Sequence, residues 1–167
     1  MKSPIKESVN NFKCLSVLKQ MIPKGSVVNS FLFFDGKLEL SLAAGNRFVI
    51  AHTNKYVIYE FWDCVMKNPT KVVEMAKFLF PIQDENVFHV LQENWPRYYD
   101  PYVRSALFFL LNRCSANGLI SAGKLDPKNY NPLALSQLKR FDAKNFHIEW
   151  DKTEEFIKGI ENAKKAD

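Results

Sequence analysis

Apolar and polar positions alternate along the chain in blocks that change period. Val27-Val28-Asn29-Ser30-Phe31-Leu32-Phe33-Phe34 is a short, β-rich apolar run that ends at Asp35-Gly36, and it predicts a buried strand leading into a turn. Leu38, Leu42 and Ala43 then recur at helical spacing and stop at Gly45-Asn46, a pair suited to ending a helix. Arg47 to His52 predicts a second strand, and Asn54 is placed to cap an apolar-periodic helix from Tyr56 through Val65. The resulting order, strand, helix, strand, helix, favours a parallel sheet, because a parallel crossover needs an intervening segment that is usually helical. The fold class is α/β.

From Pro69 to about Leu111 the pattern turns helical, with breaks near Pro81 and Pro96 and an aromatic, apolar last segment from Tyr102 to Leu111. Asn117-Gly118, Asp126-Pro127 and Asn131-Pro132 punctuate a polar stretch of about twenty residues, a length that in a compact domain points to function or mobility. Phe146-His147-Ile148-Glu149-Trp150 alternates as a strand, and Asp151 or Thr153 can cap a final helix through Ile157 and Ile160. The expectation is one domain over 1–167, with strand-helix units in 1–68, a helical insertion in 69–135 and a returning strand and helix in 136–167.

Composition narrows the function classes. No apolar run is long enough to span a bilayer and the first residues lack a signal-type stretch, so a cytoplasmic protein with no membrane partner is expected. Three cysteines, Cys14, Cys64 and Cys114, have no paired short spacing and fit buried thiols rather than a disulfide framework. His52, His89 and His147 lie far apart in sequence with no partner at ligand spacing, and no metal is assigned. The net charge of +5 suits a polyanion, but the basic residues are spread along the chain.

The most specific pattern is Ala106-Leu107-Phe108-Phe109-Leu110-Leu111-Asn112-Arg113 followed by Asn117-Gly118-Leu119. It resembles the Dam-type (D12 class) adenine-N6 DNA methyltransferases, where an apolar helix runs into an Asn-Arg and Asn-Gly-Leu loop. By itself an Asn-Arg pair after such a helix is, in most proteins, a cap and a solvated arginine. Three further segments follow the family's order. Asn11-Phe12-Lys13, then Leu15, Leu18 and Ile22, resembles its Gly-Asn-Lys start and first helix; Phe33-Phe34-Asp35-Gly36 stands at its Phe-x-Gly-Gly cofactor loop; His52-Thr53-Asn54 stands at its Asp-x-Asn strand end. The resemblance covers roughly residues 8 to 150 and implies a partial Rossmann-like methyltransferase fold with a helical insertion. It places cofactor-binding positions at Lys13, Phe33, Asp35, Gly36 and Asn54, and DNA-binding positions at Arg113, Asn117, Gly118, Lys128 and Asn131.

The departures from the family matter more. A cofactor loop needs glycines for close backbone approach, and here Asp35 and Lys37 flank a single Gly36. The acidic ribose ligand is replaced by His52, with Glu60 too far along the next helix to stand in for it. The Asp-Pro-Pro-Tyr tetrapeptide is absent; Asp126-Pro127-Lys128-Asn129-Tyr130 lacks the second proline, does not follow an apolar strand and reads as a turn. The family's further arginine after Asn-Gly-Leu is also missing, with Ile120-Ser121-Ala122-Gly123 in its place. The resemblance therefore implies a relative that does not methylate DNA alone, binds S-adenosylmethionine weakly or not at all, and retains some duplex-DNA binding. Since the tetrapeptide would follow a helix like Glu154 to Ala166, truncation, a split gene whose partner chain supplies the rest, and a degenerate protein all stay open. A separate reading is a protein-interaction module that uses Trp95, Tyr98, Tyr99 and Tyr102, although aromatics beside prolines are more often local core.

Overall fold

Asparagine or aspartate followed by proline starts two of the longer helices and two shorter segments. In the computed structural model, which describes residues 3–6 and 14–165, Asn68, Asp100, Asp126 and Asn131 each accept a backbone N–H with the side chain. Each is followed by a proline at the first position of the element, where its missing N–H costs nothing. The elements are α1 (Leu15–Met21), β1 (Val27–Ser30), α2 (Lys37–Ala43), β2 (Phe48–Thr53), α3 (Tyr56–Lys67), α4 (Pro69–Leu79), α5 (Glu85–Asn94), α6 (Pro101–Cys114), α7 (Pro132–Lys139), β3 (Phe146–Trp150) and α8 (Thr153–Lys165). Short 3-10 turns cover Trp95–Arg97 and Pro127–Asn129. No helix among the described residues is long and apolar enough to cross a membrane.

Two compact units are formed, residues 14–59 with 143–165 and residues 3–6 with 60–142. The first holds a three-stranded, fully parallel sheet in the order β1-β2-β3. Register pairs Ser30 with Ala51, Ala51 with Ile148 and His52 with Glu149. One face buries Val49, Ala51, Phe146 and Ile148, and α2 contributes Leu40, Leu42 and Ala43 to the same core. The other face carries Asn29, His52, His147 and Glu149, with the opposite phase of the two-residue period.

The second unit is helical. α6 is buried over Ser105–Asn112 and at Cys114, so it is apolar on nearly every side, as a central helix must be. Phe61 stacks on Phe108 at 4.7 Å and Trp95 meets the same ring edge-on at 5.6 Å. Buried Glu60 receives a two-pronged bond from Arg104, with Nε to Oε2 at 2.7 Å and Nη2 to Oε1, and Arg104 Nη1 reaches the Tyr98 and Tyr99 carbonyls.

Two expected elements change. The strand expected over 27–34 ends at Ser30; beyond it Phe31 stacks on His52 on one face of the sheet and Phe33 packs against Phe146 on the other, whereas a continued strand would put both rings on one face. α7 occupies part of what sequence reads as polar loop; Asn131-Pro132 is a helix start, not loop punctuation.

Candidate functional site

Ligands of open parallel sheets bind beyond the carboxyl ends of the strands, which here are Ser30, Thr53 and Trp150. His52 lies at that edge. Its Nε2 is 3.0 Å from Asn29 Oδ1 on β1, and its Nδ1 is 2.9 Å from Asp151 Oδ2 and 3.7 Å from Glu149 Oε2. The backbone carries the pairing one step further, since Asp151 N–H donates to the Thr53 carbonyl at 3.0 Å. Phe31 lies flat on the imidazole with centroids 4.5 Å apart, and Phe156 of α8 meets Phe31 edge-on at 5.6 Å. A β-carbon at position 159 would collide with Phe31 Cε1 and Cζ, so the ring occupies the space that Gly159 leaves.

This aromatic-imidazole stack stands at the carboxyl edge of the sheet. Of the expected cofactor positions, Lys13 lies outside the described residues, together with the rest of Asn11-Phe12-Lys13. Phe33 is buried, its ring 5.5 Å from that of Phe146. Asp35 Oδ1 accepts the Lys37 N–H at 3.1 Å and Gly36, at φ 70°, precedes α2. Asn54 is exposed. The cap expected of Asn54 has no counterpart here; Thr53 Oγ1 accepts the Lys55 N–H instead. At the start of α8 the Lys152 N–H goes to Glu155 Oε2, while Asp151 faces His52. Glu60 belongs to Arg104.

In the second unit the expected DNA-binding residues divide. Arg113 directs Nε to the Pro4 carbonyl at 2.8 Å, adds Nη2 to the same oxygen and covers the Phe109 ring; burial lowers its pKa from the usual arginine value. Asn112, fully buried, accepts from Lys6 N–H at 2.6 Å and donates to the carbonyls of Gly118 at 2.8 Å and Lys6 at 3.2 Å. Gly118, at φ 70°, leaves room for the Lys6 carbonyl. The Asn-Arg turn thus binds its own amino-terminal segment. Asn131 caps α7, and of the group Asn117 and Lys128 are exposed residues whose side chains have no such role.

Asp126-Pro127-Lys128-Asn129-Tyr130 is the turn expected of it: Asp126 accepts the Lys128 N–H, and Tyr130 stacks on Phe80 at 4.3 Å, facing inward. Burial pushes the Tyr130 phenol up to about 12. Cys64 and Cys114 are buried thiols, Cys114 pushed up to about 12 by burial, whereas Cys14 is exposed, against expectation. Of the aromatics around Pro96 and Pro101, Trp95 is buried and Tyr99 is 98% exposed.

A basic groove went unread in the sequence. It lies between α4 and α7, has a volume of about 600 Å³, and is lined by Lys77, Lys139 and Arg140 with the hydroxyl residues Thr70 and Ser136. No carboxylate lines it. Lys77 stands more than sixty positions before the adjacent Lys139 and Arg140, and one wall belongs to the helix that sequence assigns to loop. Comparison with protein-family models and with characterised proteins finds no match.

Proposed function

We propose that this chain is a catalytically silent relative of the Dam-type adenine-N6 DNA methyltransferases that binds duplex DNA through the helical unit. The observation that carries the binding is the carboxylate-free groove of Lys77, Lys139 and Arg140, whose spread of cations beside two hydroxyls suits phosphate oxygens. The parallel β1-β2-β3 order is compatible with the amino-terminal half of such a fold. The stack of Phe31 on His52 supports the loss of S-adenosylmethionine binding, because an acidic ribose acceptor is replaced by an imidazole with one face under Phe31 and a polar side chain of this chain facing each ring nitrogen.

Fluorescence anisotropy with a labelled duplex tests this. Three phosphate contacts give a slope of log affinity against log salt of roughly −2.7. The variant Lys77→Gln, Lys139→Gln, Arg140→Gln should flatten that slope and abolish measurable binding at about 100 mM salt, where the Debye length is about 10 Å. Equal binding by this variant overturns the groove assignment, and the absence of any complex with the parent chain overturns the DNA reading. Calorimetry with S-adenosylmethionine should give no saturable heat; a roughly micromolar affinity would contradict the silent-relative reading.

A second reading has one observation in its favour: the outer edge of β1 pairs with no strand among the described residues. Under it, another polypeptide segment adds the next strand and the Asp-Pro-Pro-Tyr tetrapeptide, giving a split enzyme. Methyl transfer by the chain mixed with such a segment, and by neither alone, would establish it.

A further inference from the structure

The side chains around His52 are arranged for a cation. His52 Nε2 stands 3.0 Å from Asn29 Oδ1, and Nδ1 faces the carboxylate oxygens of Asp151 at 2.9 Å and Glu149 at 3.7 Å. One imidazole nitrogen and two carboxylates therefore converge on one point, a mixed nitrogen-oxygen donor set of the kind that holds a metal ion.

The three candidate ligand atoms lie within 4.8 Å of one another. Ligands bound at about 2.0 to 2.2 Å stand roughly 3 to 4 Å apart around one ion, so a small adjustment of Glu149, whose side chain is 46% exposed, closes the set. His52 and Asp151 are more enclosed, at 13% and 18%.

We propose that His52 Nδ1, Asp151 Oδ2 and Glu149 Oε2 form a binding site for one divalent transition-metal ion, with zinc the best match to one imidazole and two carboxylates. Three protein ligands leave a position for water. Asn29 is the positioning residue, fixing the ring through Nε2 as outer-shell acceptors do for metal-bound histidines. Phe31, seated over Gly159, holds the imidazole plane from one side. The three ligands come from the end of β2 and from β3 and its following residue, held by the ladder that pairs His52 with Glu149. This site is independent of the DNA reading, which concerns the other unit.

The experiment is equilibrium dialysis of the chelator-treated full chain against zinc chloride, followed by metal analysis and calorimetry. One zinc per chain is expected, with affinity falling at least tenfold in Asp151→Asn and in His52→Gln, and about tenfold in Asn29→Ala, in line with outer-shell substitutions. His89→Gln, which removes the imidazole 3.6 Å from Glu85 on α5, should leave the affinity unchanged. Nitrogen-15 spectra of the parent chain supply a readout that does not depend on how the variants fold. Zinc should shift His52 Nδ1 and leave Nε2 carrying its hydrogen. No zinc bound, equal binding by Asp151→Asn, or a His52 that keeps a hydrogen on Nδ1 and is indifferent to zinc would each overturn the proposal, the last by showing that Nδ1 simply donates to Asp151.

Discussion

At the carboxyl edge of the sheet, polar side chains from separate strands face one another, with an aromatic ring laid over them; in the helical unit, the polar residues that most resemble a DNA-contacting turn are bonded to the backbone of their own chain. His52, Asp151 and Glu149 point functional atoms at a common space. Asn112 and Arg113 instead fix the segment around Pro4 and Lys6. The difference teaches that a side chain's type and its place in a motif say less about binding than whether its hydrogen-bonding atoms are already satisfied. By that criterion the DNA contact proposed above is placed on the cations of the α4–α7 groove and not on the Asn-Arg turn.

The comparison breaks most visibly if the half-buried cations of the helical unit can be removed without cost. Arg104→Ala strips buried Glu60 of its partner, and because the Arg104 side chain itself keeps some exposure the cost should be about 3 kcal/mol, the lower end for breaking a buried pair. Chemical denaturation should show a midpoint lowered to match.

Arg113→Ala sharpens the contrast. Losing the bonds to the Pro4 carbonyl should cost about 1 to 3 kcal/mol, with duplex affinity unchanged below the melting transition. A normal melting curve with weakened DNA binding would return Arg113 to the role its sequence position suggests.

The smallest effect concerns a buried acid in the sheet-bearing unit. Burial raises the pKa of Glu39 above its ordinary 4.5, although the Ser30 hydroxyl, donating at 2.6 Å, opposes the shift. The unfolded carboxyl loses its proton near 4.5 while the folded one still holds it, so this residue's contribution to stability falls as pH rises through that window and levels off above the folded value. Glu39→Gln should remove that decline, and parallel melts of the two proteins between about pH 4 and pH 8 will show whether it does.

Much of the first unit is legible in sequence because its strands have a clean period. The β3 strand has the bounds that its alternation predicts, Phe146 to Trp150, and the strand-helix order leads directly to a parallel sheet. The candidate metal site is not legible, because Asp151 stands 99 residues from His52 and only the sheet register brings them together. The groove escaped for a different reason. Pro132-Leu133-Ala134-Leu135-Ser136-Gln137-Leu138-Lys139 has adequate helical spacing, but Asn131-Pro132 resembles the turn signals before it, and the same dipeptide serves both turns and helix starts. The Asn-Arg motif is where family resemblance and local chemistry part: the residues are there, but a helix end with an apolar approach buries its asparagine and gives it backbone to satisfy.

Gly159 carries a consequence for how relatives of this chain would be recognised. Its missing side chain is the space that the Phe31 ring fills, and a β-carbon there would collide with two of the ring carbons. Substitution at either position alone should be disfavoured, so the two positions are expected to covary: glycine at 159 where 31 is aromatic, and a larger residue at 159 only where 31 is small. A search for homologues that demands this distant pair, one residue just after the first strand and one in the last helix, uses a constraint that neither the apolar periodicity nor any contiguous motif contains.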